Sequence, residues 1–257
     1  MAAQRPFIVI VPGASQSPAH YGYLTHILQL AGYPVWTGLL PSVGSGDFTA
    51  EDDAKYVRDH LLIPVLDHEE HDVIVVMHSY SSVPGSHAVA GLGKAERAAQ
   101  GKKGVIGQVY ISAMLLKGGD GQTIVGGFGG QYPPHIRADP PANLLRCDDR
   151  VGPLYQDVTP SDLRDVVAVA AMAQGIPSFN SPVPRATWDS DQYKGRIAFI
   201  KTLNDGAIPP HVQQAWIEGT GVEWKVKEMQ SGHSPQLSQP EKLSDILLEL
   251  AKEFEAL

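Results

Sequence analysis

Cysteine is almost missing: Cys147 is the only one in 257 residues. A single thiol excludes a disulfide framework and any cysteine-based zinc or iron–sulfur site. Long hydrophobic runs are missing as well, and no apolar stretch reaches the roughly 18 residues of a membrane span. Positive charge is scarce. Lys and Arg number 20 against 28 Asp and Glu, a net charge of -8, which argues against non-specific nucleic-acid binding and docking on anionic membranes. The opening MAAQRPFIVIVPGAS lacks the n-region and cleavage pattern of a signal peptide. The expectation is a cytoplasmic protein with a small-molecule substrate, no nucleic-acid or membrane partner and no cofactor. Oligomeric state is left open.

What is present suits a folded chain. A hydrophobic share of 43% excludes global disorder. The length fits one large α/β domain or two small ones, and a chain of this size needs no disulfide or metal staple. Short apolar runs alternate with helical patterns. Strands are expected at Phe7-Ile8-Val9-Ile10-Val11, Pro34-Val35-Trp36, Val73-Ile74-Val75-Val76-Met77, 108–112, Ile197-Ala198-Phe199-Ile200 and 223–229. Continuous runs of this kind mark strands buried on both faces of a parallel sheet. Helices are expected at 21–31, 49–66, 79–100 and 240–255. Thr49 is a fair N-cap for the second, and Pro64 marks its last turn or a kink. This order predicts a doubly wound, mostly parallel sheet of about six strands with right-handed crossovers. Between two of the strands, residues 117–194 carry glycine clusters, prolines and helical pieces. They read as a helical cap over one end of the sheet within a single domain, 1–257.

Three segments could carry chemistry. In Val76-Met77-His78-Ser79-Tyr80-Ser81 a buried strand ends, one polar residue follows and a helix begins. A serine on such a turn is pushed out at the positive end of a helix. Taken alone, Ser79 is either a nucleophile or a plain N-cap, and Met77 is bulky where a small residue is usual. In Asn204-Asp205-Gly206-Ala207-Ile208-Pro209 a carboxylate follows a strand, at the edge where ligands gather in open α/β sheets. In Ser231-Gly232-His233-Ser234 a histidine follows the last strand at the same edge. Ser79, Asp205 and His233 stand in the chain order of a triad on this kind of sheet. The imidazole takes the serine proton, and the carboxylate fixes its tautomer. An oxyanion site needs two backbone N–H groups. Tyr80, after the serine, and Ala14, in the glycine-containing loop after the first strand, are the candidates.

These elements together, Pro12-Gly13-Ala14, His78-Ser79-Tyr80, Asp205-x-x-Ile208-Pro209 and Gly232-His233-Ser234, resemble the α/β-hydrolase superfamily. Within it the chain is similar to the methylesterase branch that also contains hydroxynitrile lyases. The resemblance covers nearly the whole chain and is weakest in the cap. It implies Ser79 as nucleophile, Asp205 as acid, His233 as base, and Ala14 and Tyr80 as oxyanion donors. The departures are Met77 and Ser81 in the elbow, and Pro12 where a histidine is common. The related lyases carry a threonine at the place of Gly13 and a lysine at that of Ser234, so their absence favours hydrolysis. Relatives that use an aspartate nucleophile are disfavoured by Ser79. The implied activity is hydrolysis of a small, largely apolar carboxylic ester. Lactones, thioesters and carbon–carbon bonds beside a ketone are open to the same triad. Two other readings are a ligand receptor and a His–Asp base without acyl-enzyme. Ser15, Met114, Leu115 and Trp188 are expected to shape the pocket. The other tryptophans, 36, 216 and 224, read as core anchors. The His68-Glu69-Glu70-His71 run has the wrong spacing for a zinc helix and reads as a charged loop.

Overall fold

The computed structural model describes residues 4–257. Its main sheet contains β1 (Phe7–Val11), β2 (Val35–Thr37), β3 (Val73–His78) and β4 (Val105–Ile111). Three short strands follow, β5 (Arg137–Asp139), β6 (Leu144–Arg146) and β7 (Gln174–Gly175), before β8 (Ile197–Thr202) and β9 (Lys225–Met229) complete the main sheet. Six strands pair in the order β2-β1-β3-β4-β8-β9, all parallel. Each of the six expected runs became one of them. The central strands β3 and β4 are buried along their whole length. The edge strand β9 alternates, because only one of its faces is covered.

Strand alternation divides the core into two halves. Val9, Val11, Val75 and Met77 face one cluster, whereas Ile8, Ile10, Ile74 and Val76 face the other. The second half is closed by the helices Gly22–Leu30 and Pro240–Glu255. Leu243, Leu247, Leu250 and Phe254 of the last helix are buried there, each contributing roughly 1.5–3 kcal/mol of apolar transfer. Gly107 makes room for the Phe254 ring, which any side chain at that position would strike.

Two expected helices differ in detail. The stretch 49–66 begins as Ala50–Tyr56 on the Thr49 cap, then widens into π-helical turns at Val57–Leu62 and Pro64–His68. Pro64 has no N–H for the His60 carbonyl, and the indole of Trp36 donates to that carbonyl instead, at 3.3 Å. Trp36 is therefore a half-exposed strut and not a core anchor. The stretch 79–100 is broken into the turn Ser79–Ser81 and the helices Ser82–Ala88 and Lys94–Ala98. Gly91, at φ 70° in the left-handed region, lies in the turn between the two helices.

Between β4 and β8 the chain forms short helices, Ile124–Gly127, Val151–Leu154, Ser161–Ala170 and Ile176–Asn180. It also forms a three-stranded antiparallel sheet, β5-β6-β7, which adds to the expected helical insertion. Strands of two or three residues are too short to leave a period-two signal. Backbone bonds tie the insertion to the body: Met172 N–H to the Ser15 carbonyl, Gly44 N–H to Ala173 and Gly175 N–H to Ser42, each 2.8 Å. No helix among the described residues is long and apolar enough to cross a membrane.

Candidate active site

Because the six strands are parallel, the segments that follow β1, β3, β4, β8 and β9 emerge on one edge. That edge gathers residues 12–16, Ser79, Ser112, Asp205 and His233. Ser79 sits between β3 and its helix at φ 56°. This conformation costs a serine on the order of 1–2 kcal/mol. Its neighbours hold it there. The Ser81 hydroxyl donates to the Val11 carbonyl at 2.7 Å and accepts the His78 N–H at 2.9 Å. The Ser82 hydroxyl donates to the Met114 carbonyl at 2.7 Å. The turn that carries Ser79 is thus tied to the end of β1 through Ser81 and to the segment after β4 through Ser82.

His233 bridges Ser79 and Asp205. Its Nε2 lies 3.1 Å from Ser79 Oγ, and its Nδ1 lies 2.9 and 3.1 Å from the two oxygens of Asp205. A carboxylate beside Nδ1 fixes the proton there and leaves Nε2 free to accept from the serine. Asp205 Oδ1 accepts the N–H groups of Ala207 and Ile208, both at 2.8 Å. Asp205 Oδ2 accepts the hydroxyls of Thr202, at 2.7 Å, and Ser112. Burial acts to raise this carboxyl. The charge and hydrogen bond of His233, with the bonds from Ile208 and Ser112, outweigh it and hold Asp205 well below the ordinary carboxylate range. The group stays ionised and can stabilise an imidazolium.

Ser112 was not among the candidates. Its hydroxyl touches Asp205 and lies 3.1 Å from His233 Nδ1, and its φ is 43°. The available signal was positional: it is the first residue beyond a fully buried strand. His78, the residue before Ser79, had no expected role of its own. Its Nε2 donates to the His233 carbonyl at 2.7 Å, and its Nδ1 accepts from the Tyr21 hydroxyl at 2.7 Å. Burial, together with the neighbouring His233, pushes its imidazole down to about 3. It is a neutral strut under the His233 loop.

The loop after β1 is held residue by residue. Gly13 N–H donates to Tyr21 Oη at 3.0 Å, and the Gly13 carbonyl accepts Gln16 N–H at 3.2 Å. Ser15 N–H donates to Gln174 at 3.0 Å, and its carbonyl accepts Met172 N–H at 2.8 Å. Between them, the Ala14 N–H has no acceptor among the described residues. Tyr80 lies in the first turn after the elbow, where backbone N–H groups are left unpaired. Ala14 and Tyr80 line one cavity with Ser79 and His233.

That cavity is mainly apolar. Met114 and Ser15 line it, together with Phe128, Ile136, Leu145, Leu154, Phe179 and Ile208. Leu115 and Trp188 do not. Leu115 packs into the core and is not among the residues that line the cavity. Trp188 is buried against Trp224, with ring centroids 6.3 Å apart. The insertion residues Phe128, Ile136 and Leu145 were missed because no periodicity marks them. His135 and Cys147 add polar atoms to the wall. Burial pushes the Cys147 thiol up to about 11, so it stays protonated.

A family model described as the alpha/beta hydrolase family matches residues 8–246. A fungal protein of Phoma sp., described as "Probable hydrolase R7", is 28% identical over 263 residues, covering 96% of this chain and 98% of the other. A pyrethroid hydrolase from Sphingobium faniae superposes with a TM-score of 0.71 at 20% identity, covering 97% and 98% of the two chains. Polyneuridine aldehyde esterase superposes with a TM-score of 0.74 at 17% identity, covering 96% and 100%.

Proposed function

Since the chain belongs to the alpha/beta hydrolase family, we propose that it is a serine hydrolase cleaving a small, largely apolar carboxylic ester through an acyl-enzyme. The observation that carries this is the continuous hydrogen-bonded line from Ser79 through His233 to Asp205. His233 Nε2 takes the Ser79 proton as Oγ attacks the ester carbonyl. The carbonyl oxygen becomes an oxyanion that accepts from the Ala14 and Tyr80 N–H groups. The intermediate collapses as the imidazolium protonates the departing alcohol. Water, deprotonated by the same imidazole, then attacks the acyl-enzyme, and the acid leaves as Ser79 recovers its proton. Asp205 remains ionised throughout.

The apolar wall supports an apolar substrate. In this reading residues 117–194 are a cap that shapes the pocket and supplies no member of the triad. The test is labelling by a fluorophosphonate probe, with mass spectrometry of the adduct, beside a panel of chromogenic esters, lactones and diketones. A single adduct on Ser79 and turnover of short esters are expected. An unlabelled Ser79 would point to a ligand receptor. Turnover that survives Ser79→Ala would point to a His–Asp base without an acyl-enzyme.

A further inference from the structure

One buried polar chain connects the two segments that bring Ala14 and Tyr80 to the cavity, and it runs through the insertion. Gln174 of β7 is 2% exposed. Its Oε1 accepts the Ser15 N–H at 3.0 Å, and its Nε2 donates to Ser42 Oγ at 2.6 Å and to Ser178 Oγ at 2.9 Å. The Ser42 hydroxyl donates to Asp53 Oδ2, and its N–H donates to Asp53 Oδ1 at 3.0 Å. Asp53 Oδ2 also accepts the Tyr80 hydroxyl at 2.6 Å. The Tyr80 ring is fully buried and stacks on Phe179 of the insertion, with centroids 5.3 Å apart.

We propose that Gln174 is a positioning residue for the oxyanion hole, acting on Ala14 through Ser15 and on Tyr80 through Ser42 and Asp53. This deepens the serine-hydrolase reading and rests on it. The argument is geometric. Ser15 is held at φ 66°, outside the range a serine prefers. Its two backbone polar groups are both bonded to the insertion, one of them to Gln174. Releasing the Ser15 N–H frees the peptide plane next to Ala14 to rotate. Tyr80 is constrained from its side-chain end, because its hydroxyl is held by Asp53 while the residue lines the cavity beside Ser79. A hole whose donors are aimed in advance stabilises the oxyanion, and a misaimed donor is lost to the transition state. Packing alone does not call for this chain. An apolar core of the same shape would fill the space as well, but it would leave the Ser15 and Ser42 N–H groups without acceptors, so the chain serves the backbone of these segments.

The experiment compares the full-length protein with Gln174→Met, which keeps the side-chain length and removes both hydrogen-bonding ends. On a short chromogenic ester, kcat is expected to fall roughly 10- to 100-fold with KM within about threefold. A small aryl trifluoromethyl ketone, which forms a tetrahedral adduct with an oxyanion, should lose affinity by the same factor. Loss confined to KM, or unchanged ketone affinity, would overturn the proposal. If Gln174→Met does not fold, Ser42→Ala cuts the link to Asp53 at a different point and is read by the same two measurements, with a smaller loss in the same direction. Wild-type protein that takes no fluorophosphonate label would instead remove the serine-hydrolase reading. Labelled wild type with unaltered ketone affinity in both variants removes only the role of Gln174.

Discussion

Met77 occupies the space that a side chain at Gly85 would need. A Cβ at Gly85 would lie 2.7 Å from both Cγ and Sδ of Met77. The small residue that a tight strand–turn–helix elbow requires is therefore supplied one turn into the following helix, and not two residues before Ser79. This exchange explains how a bulky methionine is accommodated in the elbow.

The pairing predicts a change of sign. Glycine to alanine inside a helix ordinarily stabilises by about 0.5–1 kcal/mol. Gly85→Ala should instead destabilise by about 1–3 kcal/mol through overpacking. In a Met77→Ala background the same change should become neutral or favourable. Urea denaturation of the four proteins of this cycle measures the coupling. Equal effects in both backgrounds would mean that Met77 and Gly85 do not compete for space.

Ser79→Ala and His233→Ala should each lower kcat roughly a thousandfold or more, and the double variant should be no worse than either alone. Asp205→Asn should be milder or similar with stability little changed. Steady-state kinetics on the best ester of the panel checks this. Full activity in Asp205→Asn would assign the orienting role to another group.

His78 links acid to stability. Its folded imidazole titrates at about 3, against an ordinary value of 6.5. Between these values the unfolded chain binds a proton that the folded protein refuses, so stability falls as pH falls through that window. From pH 7 to 5 this one group removes about 2 kcal/mol. His20, also lowered by burial, adds to the loss in the same direction. His78→Gln keeps a donor for the His233 carbonyl and removes the titration. Its stability should decline less over the same range, by about the same 2 kcal/mol. Denaturation curves at pH 7 and pH 5 decide it: parallel decline in both proteins would place the acid sensitivity elsewhere.

Met114 lines the cavity and its carbonyl bonds to Ser82. Met114→Trp should raise KM for bulky esters at least tenfold, a loss of about 1.4 kcal/mol in binding, while acetate esters are less affected. Comparable losses on both sizes would indicate damage to the elbow and not a filled pocket.

The six core strands, their parallel arrangement and the edge where Ser79, Asp205 and His233 meet were legible along the chain, because each depends on a local pattern. A β-branched run buried on both faces needs no partner to be recognised, and a polar residue just past such a run is placed by the strand itself. Other features had no local mark. Ser112 meets Asp205 from 93 residues away, His78 meets the His233 carbonyl across 155, and Gln174 reaches Ser15 across 159. No periodicity encodes such encounters. They exist only once the sheet has brought its loops to one edge and the insertion has folded back over them. The same limit applies to Leu115 and Trp188. Their hydrophobicity announced burial, but whether a buried side chain faces the cavity or the core is decided by the direction in which the chain leaves the sheet. The sequence alone determined the α/β architecture and the residue types at the edge where Ser79, Asp205 and His233 meet. Tertiary packing alone decided what holds those residues in place and which walls enclose them.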